Sequence, residues 1–226
     1  MQPTIDALAK EFDRNRRDNF VRRVMWLDFE ERVRGNLYSA TNSSAAQTFG
    51  GLYLRSSFEM NEFKLKQYSA TRTNTTNAIY LFTGNLAPTL LKTYGKNAPE
   101  WVADHKAQLW FTQGASGGVS VFMAPYVSEL HNFKREQIWL AHYESPHQVQ
   151  AKHIKKHARQ FLRYCVDTSY QSPHSLGKAL RLRWHTLMDL QYRALGQGRL
   201  WVYSRRLIIP VAGAAIAVAI RVWFTK

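Results

Sequence analysis

Residues 108–125 read QLWFTQGASGGVSVFMAP. Two short runs rich in β-branched and aromatic residues, Gln108–Thr112 and Val119–Met123, flank a Gly- and Ser-rich stretch at Gly114–Gly118. Branched and aromatic side chains pack well on a pleated surface, so a glycine-rich break between two such runs predicts an antiparallel hairpin, with a loop longer than the tight two-residue turn. Working outward, Thr48–Arg55, Phe63–Tyr68, Ala78–Phe82 and Ile138–His142 have the same texture and similar Gly, Ser, Asn or Pro boundaries. A mostly antiparallel sheet is therefore predicted between residues 36 and 144, interrupted by short helices at Asn85–Tyr94 and Pro99–Asp104.

On both sides of the sheet region the apolar residues recur at helical spacing. Thr4–Arg34 is predicted as one long helix or two collinear ones, with Ile5, Leu8 and Phe12, then Phe20, Val24 and Leu27, at helical spacing, Thr4 as cap and Gly35 as stop. From Pro146 a helix is predicted with Val149, Ile154, Ala158, Phe161, Leu162 and Cys165 on one face. A second one, about Ser175–Leu195, is predicted to turn Leu176, Leu180, Leu187 and Met188 inward and to leave Lys178, Arg181, Arg183, His185 and Arg193 at the rim. The expected fold class is α+β: an N-terminal helix, a mostly antiparallel sheet, a basic helical neck and a single C-terminal transmembrane helix. The expected divisions are 1–145 for a cytoplasmic α+β domain, 146–206 for the neck packed on it, and 207–224 for the membrane helix. The lone cysteine, Cys165, excludes an intramolecular disulfide and fits a reducing compartment.

Charge is distributed unevenly. The formal net charge is +15, and residues 146–206 hold twelve Lys and Arg against two Asp, which is +10 of it. Within that stretch Lys152, Lys155, Lys156, Arg159 and Arg163 recur at three- and four-residue steps, and Arg181 and Arg183 follow beside Trp184. Five cations on one helix face repel each other unless water, lipid headgroups or phosphates neutralise them, so an anionic partner is expected. The ligand-binding residues for a polyanion are accordingly read as Lys152, Lys155, Lys156, Arg159, Arg163, Arg181 and Arg183. The arginines at 14, 16, 17, 22 and 23 have Asp13 and Asp18 among them and read as a solvated face.

The basic segment leads into Leu207–Ile220, LIIPVAGAAIAVAI, which carries no charge. As a helix it spans about 21 Å, and about 27 Å when continued to Phe224, against roughly 30 Å of hydrocarbon. Arg221 can snorkel to the far interface, Trp201, Tyr203, Trp223 and Phe224 stand where interfacial rings are expected, and Arg205 and Arg206 place the basic side in the cytoplasm. The expected topology is tail-anchored, in the inner membrane if the source is bacterial, with the lipid bilayer and anionic lipid as partners. Gly213 and Ala217 are small residues four apart, a spacing that allows close helix approach in lipid and predicts homo-oligomers.

Other constellations point to no specific chemistry. His153 and His157 stand four apart like a zinc pair, but lysines flank them and no glutamate lies between, so they are read as pH-dependent charge added to the stripe. No metal and no cofactor is expected. Ser116 and Ser120 lie in neither a nucleophile elbow nor a phosphate loop, and Glu59, Glu62, Glu129 and Glu136 are scattered, so no catalytic residue is assigned. Trp110, Tyr126 and Trp139 are read as core, with base stacking as the alternative.

A cytoplasmic α+β domain, a basic neck and one terminal membrane helix resemble the transmembrane effectors of bacterial anti-phage nucleotide-signalling systems, and the basic neck resembles most the Hailong type. The resemblance is one of layout over the whole chain. It implies an ion channel or membrane effector whose soluble part binds a nucleotide or oligonucleotide ligand that gates it. The residues also admit a membrane-surface scaffold that binds anionic lipid, and a membrane-anchored enzyme.

Overall fold

The computed structural model describes residues 2–60, 77–86, 91–92, 100–101, 104–128, 137–169, 171–173 and 175–190. The expected strand at Phe63–Tyr68, the cations at 193–206 and the membrane segment with Gly213, Ala217 and Arg221 lie outside these residues. Among the described residues no helix is long and apolar enough to cross a membrane.

The chain is α+β. Helices α1 (Gln2–Val24) and α2 (Trp26–Thr41) precede a 3-10 turn and strand β1 (Leu52–Ser56), followed by the one-turn α3 (Ser57–Met60). Then come β2 (Ala78–Thr83), β3 (Leu91–Lys92), β4 (Glu100–Trp101), β5 (Asp104–His105), β6 (Gln108–Gln113), β7 (Val119–Ala124), β8 (Val127–Ser128) and β9 (Ile138–Tyr143). Helices α4 (Ala151–Thr168) and α5 (Leu176–Met188) close the described part. The main sheet has the order β1-β2-β6-β7-β9 with every neighbour antiparallel, so its strands lie side by side in chain order. The predicted hairpin is β6–β7, with Trp110 opposite Phe122 and Phe111 opposite Val121.

Two expectations are corrected between β2 and β6. Leu91–Lys92 pairs with Glu100–Trp101, and Asp104–His105 pairs with Val127–Ser128, where short helices were expected. Each ladder needs a partner strand outside the few residues from which a local propensity is read, and that pairing overrides it.

Alternation, cleanest in β6 and β7, divides the sheet into two faces. Ile79, Leu81, Leu109, Phe111, Val119, Val121 and Met123 are buried on the inner face. On the outer face the register lines up Arg55, Tyr80, Trp110, Phe122 and Trp139 across all five strands. A bulge between Val121 and Phe122 keeps Trp139 in this row. Phe122 stacks between Trp110 and Trp139 at centroid distances of 5.5 and 5.6 Å.

The inner face is covered by α2 and α4. Trp26, Phe29, Val33 and Leu37 recur at helical spacing and are buried, and Phe29 meets Phe111 edge-on at 5.6 Å. From α4, Ile154, Ala158, Phe161, Tyr164 and Cys165 join the same core. The Arg32 guanidinium donates to the carbonyls of Pro146 and Val149 at 3.1 and 3.4 Å, which ties α2 to the turn that launches α4.

Gly35 does not stop the first helix as expected. The break falls at Met25, and Gly35 lies inside α2 between buried Val33 and Leu37. Burying those two side chains stabilises the helix by more than the roughly 1 kcal/mol that an internal glycine costs. Helix α1 touches the domain mainly through its last turn. Gln113 donates from Nε2 to the carbonyls of Arg22 and Arg23 at 3.4 and 3.2 Å, which satisfies acceptors that a helix end leaves open. Its Oε1 accepts from the Asn77 amide at 2.9 Å. Gly117, with φ of +80°, lets the hairpin loop approach, since a Cβ there would overlap the Cβ of Arg22.

Gly117→Ala is therefore expected to destabilise the domain by about 1–2 kcal/mol for the left-handed backbone alone, with the overlap added. Equilibrium denaturation checks this, and an unchanged midpoint would contradict the docking of α1 on the hairpin.

Candidate cationic interface on α4

Helix α4 is launched by the 3-10 turn Pro146–Gln148 and steadied at its start by the Gln150 amide, which donates to His153 Nδ1 at 3.2 Å. Its rotation follows from the apolar pattern. Ile154, Ala158, Phe161 and Cys165 face the sheet, as expected from the sequence, and Leu162 packs at the edge of the core. At about 100° per residue, Lys152, Lys155, Lys156, Arg159 and Arg163 fall within an arc of about 100° on the other side, spread over about 16 Å of axis. All five are exposed.

The five are not equally available. Among the described residues, Lys152, Lys155, Lys156 and Arg159 form no salt bridge. Arg163 Nε stands 3.9 Å from Asp167, and Arg183 on α5 is exposed and, among the described residues, makes no such pair. Arg181 differs, because its guanidinium forks onto the buried Asp167, Nη2 to Oδ1 at 2.8 Å and Nε to Oδ2 at 3.0 Å. That bidentate pair holds α5 on α4 and engages the group that an anion would use.

The inward face expected for α5 is corrected. Leu176, Leu180 and Leu187 are exposed and Met188 is half-buried, whereas Lys178 and His185, expected at the rim, are buried. Lys178 Nζ donates to the carbonyls of Ser169 and Ser172 at 3.4 and 2.9 Å, just past the end of α4, where carbonyls need donors and a cation suits the helix dipole. His185 meets Tyr164 edge-on at 5.3 Å, and its pKa is lowered by burial first, with Asp167 opposing and Arg181 assisting. The joint between α4 and α5 is thus polar, with Asp167 at its centre. Nothing in the sequence pairs Asp167 with Arg181, fourteen residues on, and this cluster is what sequence reasoning missed.

His157 does not add charge to the stripe as expected. His157 is buried between Tyr143 and Gln160, with the Tyr143 hydroxyl 2.9 Å from Nε2 and Gln160 Oε1 3.1 Å from Nδ1. These contacts suit a neutral ring that donates from Nδ1 and accepts at Nε2. Desolvation pushes its pKa down to about 4, with Lys156 and His153 assisting and the bond to Gln160 opposing. Among the described residues no three His, Cys, Asp or Glu side chains are grouped to hold a metal.

Other candidates are accounted for by packing. Ser120 Oγ lies 3.0 Å from His142 Nδ1 in an exposed position, and among the described residues no carboxylate is hydrogen-bonded to His142. Glu59 accepts from Arg34 at 2.8 Å and from the Ser56 amide at 2.9 Å, while Glu62, Glu129 and Glu136 lie outside the described residues. Tyr126 is core, as expected, but Trp110 and Trp139 are half-buried on the outer sheet face. Phe122 covers one face of each, so a base cannot enter between them. Cys165 lines a cleft of about 200 Å³ with Phe49 and Tyr126, and burial pushes its thiol pKa up, which keeps it unreactive.

The titration of His157 gives a signed expectation. An unfolded histidine titrates near 6.5, so between pH 6.5 and about 4 the unfolded chain binds a proton that the fold refuses. Its contribution is complete above pH 6.5 and falls by about 3 kcal/mol as pH drops to 4, with His185 acting in the same direction. Urea titrations across this range should show that slope flattened in His157→Gln, and parallel curves for the two proteins would contradict the assignment. No protein-family model, no curated protein and no solved structure matches this chain.

Proposed function

We propose that the chain is a membrane-attached, self-associating effector whose folded part binds a nucleic-acid-like polyanion along α4, the ligand setting the state of the membrane segment. The observation that carries this reading is the row Lys152, Lys155, Lys156 and Arg159, exposed and without salt bridges among the described residues, continued by Arg163; Arg183 stands apart from it, on the side of α5 that faces away from α4. With Arg163 the row offers five exposed cations, so about five phosphates can be neutralised along it. Arg181 serves in this reading as the tie between α4 and α5 through Asp167.

The membrane part rests on Leu207–Ile220 and its flanks, with Gly213 and Ala217 at the helix contact and Arg221 at the far interface. One such helix per chain cannot line a pore, so an ion channel of this kind needs several subunits. The ligand biases the membrane helices only if it binds one packing of α4 and α5 better than another.

Titration of the full-length protein with a short fluorescent single-stranded oligodeoxynucleotide is expected to give a salt slope of about −3 to −4, at about 0.7 per phosphate contacted. Lys155→Glu with Arg159→Glu should weaken binding more than about tenfold and reduce the slope by about 1.4 or more, with thermal stability unchanged because both side chains are exposed. Unchanged affinity and slope would sink the reading. Displacement by anionic vesicles at equal phosphate concentration would assign the row to lipid headgroups instead.

A further inference from the structure

Helix α5 is inside out. Leu176, Leu180 and Trp184, four residues apart, are 88%, 67% and 58% exposed, while Lys178 and His185 on the opposite side are 4% and 9% exposed. The three apolar groups fall within about 80° of arc, and Leu187 continues their stripe. A helix that faces only water would hide this side. Its rotation is set by the polar joint with α4: Asp167 with Arg181, Lys178 on the carbonyls of Ser169 and Ser172, and His185 against Tyr164. Turning the leucines inward would strip the buried Asp167 of its bidentate partner, a large cost for a charge in the interior. The apolar side is therefore presented outward by construction of the fold.

We infer that α5 is an in-plane membrane helix, with Leu176, Leu180 and Trp184 seated at the boundary of headgroups and acyl chains in an anionic bilayer. The inference rests on the reading of the chain as membrane-attached. Three observations select lipid as the occupant. Arg183 is exposed beside the apolar stripe, which places its guanidinium at headgroup level. Trp184 belongs to the residue type that favours the interface, with an apolar body and one polar N–H. The 36 residues that follow α5's last described neighbour, 191–226, contain six Lys and Arg and no Asp or Glu, and include Leu207–Ile220. A second copy of α5 laid on the same face would instead bring Arg183 toward Arg183, an unfavourable like-charge approach.

The test uses the full-length chain. Its one cysteine, Cys165, is buried, so an environment-sensitive fluorophore can be placed selectively on Leu180→Cys, on Ala215→Cys in the anchor and on Ser116→Cys in the exposed hairpin loop. Each protein is reconstituted into phosphatidylcholine vesicles with and without phosphatidylglycerol, and with or without lipids that carry a shallow or a deep quencher. The expected result is a blue shift and loss of emission to the shallow quencher at 180, stronger with phosphatidylglycerol, loss to the deep quencher at 215, and water-like emission at 116. Water-like emission at 180 with quenching at 215 overturns the inference and leaves the anchor standing. A blue shift at 180 without quenching also overturns it, since another part of the chain or a second copy then covers the face. Water-like emission at both 180 and 215 overturns the membrane reading itself. If Leu180→Cys fails to fold, Leu176→Cys reports on the same face from a more exposed position.

Discussion

Burial of one face of α4 against the inner side of the sheet is the constraint on which the rest depends. Ile154, Phe161 and Cys165 are fully buried there, and Phe111 of β6 meets both Phe29 of α2 and His157 of α4. Each large apolar side chain stabilises by about 1.5–3 kcal/mol when removed from water, so the rotation of the helix is not negotiable. Once it is set, Lys152, Lys155, Lys156 and Arg159 have nowhere to point except into solvent. The same packing removes His157 from the charged face and makes its neutrality a condition of the fold.

The second helix layer obeys a different rule. Between α4 and α5 the contact is polar, centred on Asp167, whose burial without Arg181 would leave an uncompensated charge. A joint of this kind specifies orientation more sharply than greasy packing does, because a bidentate pair has a direction. It also connects the helix that carries the cationic row to the helix that carries the exposed leucines. A ligand on α4 and a bilayer under α5 would therefore act on opposite ends of one hydrogen-bonded unit.

The sheet is a rigid support for these layers. Its outer face is braced by the stack of Trp110, Phe122 and Trp139, and its hairpin end receives the last turn of α1 through Gln113 and Gly117. Beyond that turn α1 projects, with Ile5, Leu8 and Phe12 exposed.

How much of this was legible in the sequence follows from the range of the interactions. The β6–β7 hairpin, β2 and β9 were readable because turn residues and extended propensity act over a few neighbouring positions, and α4 was readable because its apolar and basic residues separate cleanly at a period of 3.6. Helix α5 was readable as a helix and as two-sided, but its sides were assigned the wrong way round. Which side is buried depends on Asp167, a residue of another element, and on the carbonyls left open at the end of α4. The short ladders between β2 and β6, the passage of α2 through Gly35 and the burial of His157 have the same character. Residue order determined the elements and the charge pattern of this protein by itself. Only the tertiary structure decided which faces meet water, because that choice is made by contacts between residues far apart in the chain.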